Sequence, residues 1–230
     1  MYRLVIGNRN YSSWSLRAWL HLAASGIPFE TVRLTLYSGG EWKQALLNHA
    51  PSGRVPVLID GDTTVWDSLA IMEYISEQNA AAIGWPQSSA ARAHARSICA
   101  EMHSGFLALR DELPQNIRAR SPLQRSELSQ ACGQQLARIE EIWSDCRRRY
   151  GGGGEWLFGD MSIADIMYAP VALRLVTYAL DVDGPARSFV DAVRQHPAVQ
   201  QWCTDAAAEK ETIDFIDQRI PAEQSPLVLG

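Results

Sequence analysis

The chain has 230 residues, 47% hydrophobic and 20% charged, with a formal net charge of −5. This is the make-up of a soluble globular protein with a substantial core, and it excludes nucleic acid as the main partner, because phosphate binding needs a basic surface. No run reaches the length of a membrane span, and the N-terminus MYRLVIGNRN lacks the apolar stretch of a secretory signal, so a cytoplasmic location is expected.

In chain order, YRLVI reads as a short strand. Residues 14–25 carry Trp14, Leu16, Trp19, Leu20 and Leu22 at helical spacing. FETVRLTL, residues 29–36, alternates as a second strand, and residues 40–50 form a helix closed by Pro51, Ser52 and Gly53. VPVLIDGDTTVWDS is a hairpin around Asp60-Gly61, and SLAIMEYISEQNA is a helix. The order βαβαββα implies a crossover that sets the first two strands parallel. Residues 81–89 read as a linker, and everything after them reads as helix: 89–115, 124–149, 162–180, 187–195 and 197–216. The domain division is therefore 1–80 (α/β), 81–89 (linker) and 90–230 (all helical). GGGG at 151–154 lacks the G-K-[ST] ending of a phosphate loop.

Four cysteines, Cys99, Cys132, Cys146 and Cys203, form no C-x-x-C pair and no zinc spacing with histidine, so no metal is expected. Single scattered cysteines suit a reducing compartment. The five histidines show no paired spacing, and no G-x-S-x-G marks a serine hydrolase.

Four places carry candidate chemistry. Ser12, Ser13 and Ser15 crowd a helix start where capping needs only one serine; the alternative is a hydroxyl facing a thiol ligand. Lowering a thiol pKa of about 8.5 by two units takes about 2.7 kcal/mol. A hydrogen bond to a charged group supplies roughly 1.5–3 kcal/mol and a helix N-terminus about 0.3–1 kcal/mol, so an alcohol suffices without a base. Val55-Pro56 opens a strand, as proline must; a cis bond there would turn the Val55 backbone outward to pair with an extended peptide. Asp67-Ser68 is either an N-cap or a site for an amino-acid head group, with free N–H groups and the hydroxyl for a carboxylate and Asp67 for an ammonium. Met102, His103, Phe106 and Leu109 share one helix face, either as core or as the wall of an apolar pocket. Ser162 and Asp165 make an S-x-x-D capping box, read as structural.

Together these pieces resemble the glutathione transferase superfamily over the whole chain. SSWSLR is similar to the serine motif of the zeta class, which includes maleylacetoacetate isomerases, and of theta-like classes. APSGRVPVLIDGD is similar to the family's cis-proline segment, with Ala50 where the pattern has Asn; WDSLAIMEYI and SIADI match two further segments. Trp14 stands where zeta members commonly have Cys, and Leu16 where they have Trp.

The resemblance implies a thioredoxin-like N-terminal domain with an all-α C-terminal domain. It implies glutathione as co-substrate, with Ser12 or Ser13 facing its sulfur and Ser12 favoured. Val55, next to Pro56, would pair with the cysteinyl unit, Asp67 and Ser68 would hold the γ-glutamyl group, and Arg54 lies within reach. Met102, His103 and Phe106 would bind the second substrate. The implied activity is conjugation of the thiolate to a small hydrophobic electrophile, as in detoxification, by a homodimer. The alternatives are a zeta-like cis–trans isomerase and a non-catalytic binding protein on the same scaffold.

Overall fold

The computed structural model describes residues 1–220. Its first half runs β1 (Tyr2–Ile6), α1 (Ser13–Ala24), β2 (Phe29–Arg33), α2 (Trp42–Leu47), β3 (Val57–Asp60), β4 (Thr63–Trp66) and α3 (Ser68–Gln78), the predicted order. The strands form one sheet in the order β2-β1-β3-β4. β1 and β2 are parallel, from Tyr2 opposite Phe29 to Ile6 opposite Arg33, and β3 runs antiparallel to β1, with Leu4 opposite Leu58. The hairpin turns at Gly61, whose φ of +56° suits a residue without Cβ.

The alternation of strand side chains gives the sheet two apolar faces. Leu4, Ile6 and Leu58 pack with Leu16 and Leu20 of α1 and with Ile71, Met72 and Ile75 of α3. Val5 and Val57 point the other way, onto Ala50, with Val32 and Val55 beside them. The first face is continuous with the core of the helical half, so α1 is buried on both sides.

The second half holds α4 (Ser89–Ser104), α5 (Leu107–Glu112), a 3₁₀ turn at Arg125–Glu127, α6 (Gln130–Tyr150), α7 (Ile163–Thr177), α8 (Gly184–Gln195), α9 (Pro197–Ala208) and α10 (Asp214–Asp217). α7 is apolar all round and buried at nearly every position, which fits a helix at the centre of a bundle. It starts at the expected capping box: Asp165 accepts from the Ser162 N–H at 2.8 Å and the Ser162 hydroxyl at 2.7 Å, and also from the Leu157 N–H at 2.8 Å. Burial pushes the Asp165 carboxyl up to about 6, against the pull of these hydrogen bonds.

Several predicted spans are corrected. Residues 89–115 are two helices, because Gly105 cannot carry a Cβ without meeting the Glu101 carbonyl at 2.8 Å and Phe106 takes a left-handed φ of +60°. Arg110 folds back onto the Gly105 carbonyl at 3.1 Å and bonds the Met102 carbonyl, satisfying acceptors the break exposes. Residues 197–216 also divide, into α9 and α10, and the 124–149 segment starts its α-helix only at Gln130, where Ser129 accepts from the Cys132 N–H at 3.1 Å. Residues 221–230 of the predicted helical domain lie outside the described residues. Among the described residues no helix is long and apolar enough to cross a membrane.

Candidate active site

A cleft of about 640 Å³ opens where the N-terminal end of α1 meets the helical half. On the sheet side it is lined by Ser12, Ser13, Trp14, Arg54 and Val55; on the helical side by Arg110, Gln115, Arg174 and Phe215. The segment carrying Phe215 is tied to the start of α1. Tyr11 donates its hydroxyl to Asp217 at 2.7 Å, and Arg118 bonds the Glu211 carbonyl at 2.7 Å and Tyr11 at 3.0 Å. Burial, then Asp217, raises the Tyr11 pKa, and its proton is committed to that carboxylate.

The three serines have different duties. Ser12 is the N-cap of α1: its oxygen accepts from the Ser15 N–H at 3.2 Å, and its hydroxyl donates to Ser15 Oγ at 2.8 Å. Ser15 Oγ also accepts from the Gly7 N–H at 3.0 Å, which ties the helix start to the end of β1. Ser13, the first residue of α1, accepts one long 3.4 Å bond from Arg174 Nη2, and its own O–H has no acceptor among the described residues. Of the two leading serines, Ser13 is the one with a free donor on the cleft.

Val55 lines the cleft next to Pro56, and the Val55-Pro56 bond is cis. Arg54 is exposed on the rim. Asp67 and Ser68 are not among the residues that line the cleft. Asp67 caps α3, accepting from the Leu69 N–H at 2.9 Å, and its second oxygen lies 3.2 Å from His103 Nε2. It holds φ +76°, a backbone conformation few L residues adopt. Ser68 is fully buried, and its hydroxyl has no partner among the described residues.

The residues predicted to wall an apolar pocket are dispersed. Met102 is 1% exposed, within the core. Phe106 lines a separate shallow groove with Glu101 and Gln135. His103 stands edge-on to Trp14 at 5.2 Å and does not line the cleft. Regular 3–4 spacing ran across a helix break, so the side chains do not share one face.

Sequence reading did not bring together a cluster of three arginines, Arg17, Arg110 and Arg174, the first two of them beside Trp14. Arg17 is fully buried, donates Nε to the Met167 carbonyl at 2.9 Å, and has no partner for either Nη among the described residues. Its guanidinium lies 4.5 Å from the Trp14 ring and that of Arg110 lies 5.0 Å from it. Arg174 donates Nε to the Leu113 carbonyl at 2.8 Å and Nη1 to the Pro170 carbonyl at 3.2 Å. Burial, then the neighbouring arginines, pulls Arg17 down to about 9; burial and Arg110 do the same to Arg174. The Asp67 carboxylate partly offsets this at Arg17, and it already faces His103.

Residues 11–78 match the family model described as glutathione S-transferase, N-terminal domain, and residues 92–205 the one described as glutathione S-transferase, C-terminal domain. The chain belongs to the glutathione S-transferase superfamily. It is 42% identical over 64 residues to glutathione S-transferase F10 of Arabidopsis thaliana, a match covering 28% of this chain and 30% of that one. The chain thus spans about three tenths of the length of that relative. A probable maleylacetoacetate isomerase of Caenorhabditis elegans is 26% identical over 70% of this chain and 75% of its own length. Among solved structures, a glutathione transferase homolog from Burkholderia with bound glutathione superposes with a TM-score of 0.65 at 26% identity, covering 90% of this chain and 98% of that one. The holo structure of maleyl pyruvate isomerase, a bacterial zeta-class member, gives 0.68 at 20% identity, over 92% of this chain and all of that one, and shows the shared fold.

Proposed function

We propose that this chain is a glutathione transferase whose Ser13 hydroxyl holds the glutathione sulfur as a thiolate at the N-terminus of α1. The observation that carries the reading is the free Ser13 O–H on the cleft, beside a helix end and a buried guanidinium. Ser12, favoured from sequence, is engaged by Ser15 through both its N–H and its hydroxyl. A hydroxyl that accepts from Arg174 is a polarised donor, and a charge-assisted bond at a helix N-terminus is strong enough to shift a thiol by one to two pKa units, about 1.4–2.7 kcal/mol.

In this reading Val55 pairs its backbone with the cysteinyl unit, with Pro56 holding the strand start and Arg54 reaching the ligand from the rim. Asp67 and Ser68 take the γ-glutamyl head group, which would give the buried Ser68 hydroxyl the partner it lacks; the unusual backbone of Asp67 supports a binding role, since such conformations cluster at functional sites. Residues 1–80 form the glutathione-binding domain, 81–89 the linker and 90–230 the helical domain. The sulfur then attacks an electrophile presented by the helical wall, with catalysis resting on orientation and thiolate stabilisation. No metal takes part. A homodimer in the cytoplasm completes the reading; four free, buried cysteines suit a reducing compartment.

A second reading, cis–trans isomerisation with glutathione added and expelled, is supported by the likeness to the probable maleylacetoacetate isomerase. It predicts turnover of maleylacetoacetate with no net loss of thiol. Conjugation predicts thiol consumption with a model electrophile, and failure to bind glutathione in calorimetry would leave only a binding scaffold.

A further inference from the structure

Gln115 lines the cleft and is 4% exposed, yet neither its amide nitrogen nor its amide oxygen has a partner among the described residues. A buried unpaired amide weakens the fold, and a leucine there would serve packing better. On the same wall of the cleft Arg174 is also 4% exposed, with no carboxylate paired to it among the described residues; its Nη2 has only the long contact to Ser13. A buried guanidinium without an anion is equally unfavourable, and Arg110 adds a second cation on the same wall. Two unsatisfied groups of matching chemistry on one wall need a ligand that accepts from both.

We propose that Arg174 and Gln115 form a carboxylate subsite, and that the electrophile attacked in this cleft is an organic acid rather than the neutral apolar molecule expected from sequence. One carboxylate oxygen accepts from Arg174 Nη2 and the other from the Gln115 amide nitrogen, while the Gln115 amide oxygen takes a hydroxyl or N–H next to the acid. Arg174 touches Ser13, so the acid binds close to the sulfur. Aromatic side chains at the mouth offer flat area for the body of the substrate: Tyr37 meets Trp42 at 4.6 Å and Phe215 at 5.0 Å. The substrate assignment rests on the sulfur lying at Ser13; the acid-binding site does not. Glutathione also has carboxylates, so the experiment must separate its acid from the electrophile's.

A suitable reactive probe is a chloronitrobenzoate with chlorine ortho to the nitro group. The thiolate sulfur forms the C–S bond at the chlorine-bearing carbon, the C–Cl bond breaks, and chloride leaves with the bonding pair; the thiol proton has already passed to solvent. The non-reactive probe is nitrobenzoate, compared with its methyl ester by quenching of tryptophan fluorescence, with and without glutathione.

Wild type is expected to bind the acid at least about tenfold tighter than the ester, with or without glutathione. Gln115→Leu and Arg174→Met should each remove most of that preference. Gln115→Leu should do so with Tm unchanged or raised, while KM for glutathione moves less than about twofold. Relative to the uncatalysed rates, chloronitrobenzoate should be turned over faster than its ester. Equal binding of acid and ester by wild type overturns the proposal, as does a preference that survives Gln115→Leu. A raised glutathione KM with the acid preference intact also overturns it and assigns the subsite to glutathione's own carboxylate. If wild type binds the acid but not glutathione, the transferase reading fails while the acid site stands.

Discussion

The two walls of the cleft treat their polar groups differently. On the sheet-side wall and just behind it they are largely consumed by local structure: Ser12 caps α1, Ser15 ties α1 to β1, and Asp67 caps α3 and faces His103, the buried Ser68 hydroxyl being the exception. On the helical side they are left over: Gln115 has no partner and Arg174 no anion among the described residues. A satisfied buried group explains itself by stability, and an unsatisfied one calls for a ligand. By that rule Ser13 belongs with the helical wall, because its proton is unspent.

The comparison predicts opposite mutational signs for the two kinds of group. The largest effect should come from a fully satisfied one. Asp165→Ala strips acceptors from the Leu157 and Ser162 N–H groups in a dry site, and urea unfolding should show a loss of about 4 kcal/mol.

His21 comes next. It is buried, with Nε2 2.7 Å from the Ile83 carbonyl, and burial holds its pKa down at about 4. The unfolded imidazole titrates near 6.5, so between these values the unfolded chain binds the extra proton. The His21 contribution to stability therefore rises with pH across that window and falls by roughly 3 kcal/mol from pH 7 to 4, opposed by Asp165, whose raised pKa makes the folded chain the better proton binder between 3.8 and about 6. In His21→Gln the unfolding free energy should lose that slope; an unchanged slope would place the titration elsewhere.

Two smaller effects of opposite sign sharpen the contrast. Ser12→Ala should lower stability by about 1 kcal/mol, since it removes a helix cap. Gln115→Leu should raise it by about 1 kcal/mol, since it removes two unpaired buried atoms. Destabilisation by Gln115→Leu would mean that the amide serves the fold after all.

Much of the scaffold was legible because local rules and packing agree there. YRLVI is a short apolar, β-rich run and is β1, the glycine at the hairpin adopts the positive φ such a turn needs, and Ser162 and Asp165 close their box as spaced. The break in residues 89–115 was not legible, because apolar spacing continues through it while a left-handed Phe106 and a back-folded Arg110 decide the backbone. Spacing also could not tell a core methionine from a cleft wall, so Met102 was misplaced as pocket lining.

One signal for the helical wall was present and unread. Arg174 is the lone cation in the apolar run APVALRLV, and a charge inside a fully buried helix is a candidate for function. Gln115 carried no signal, because only the surrounding fold shows that its amide is unpaired.

The most direct test is the ultraviolet titration of the thiol of bound glutathione in wild type, Ser12→Ala and Ser13→Ala. The thiol pKa should rise by about one to two units in Ser13→Ala and by much less in Ser12→Ala. A thiol that titrates alike in wild type and Ser13→Ala would contradict the assignment of that hydroxyl to the sulfur.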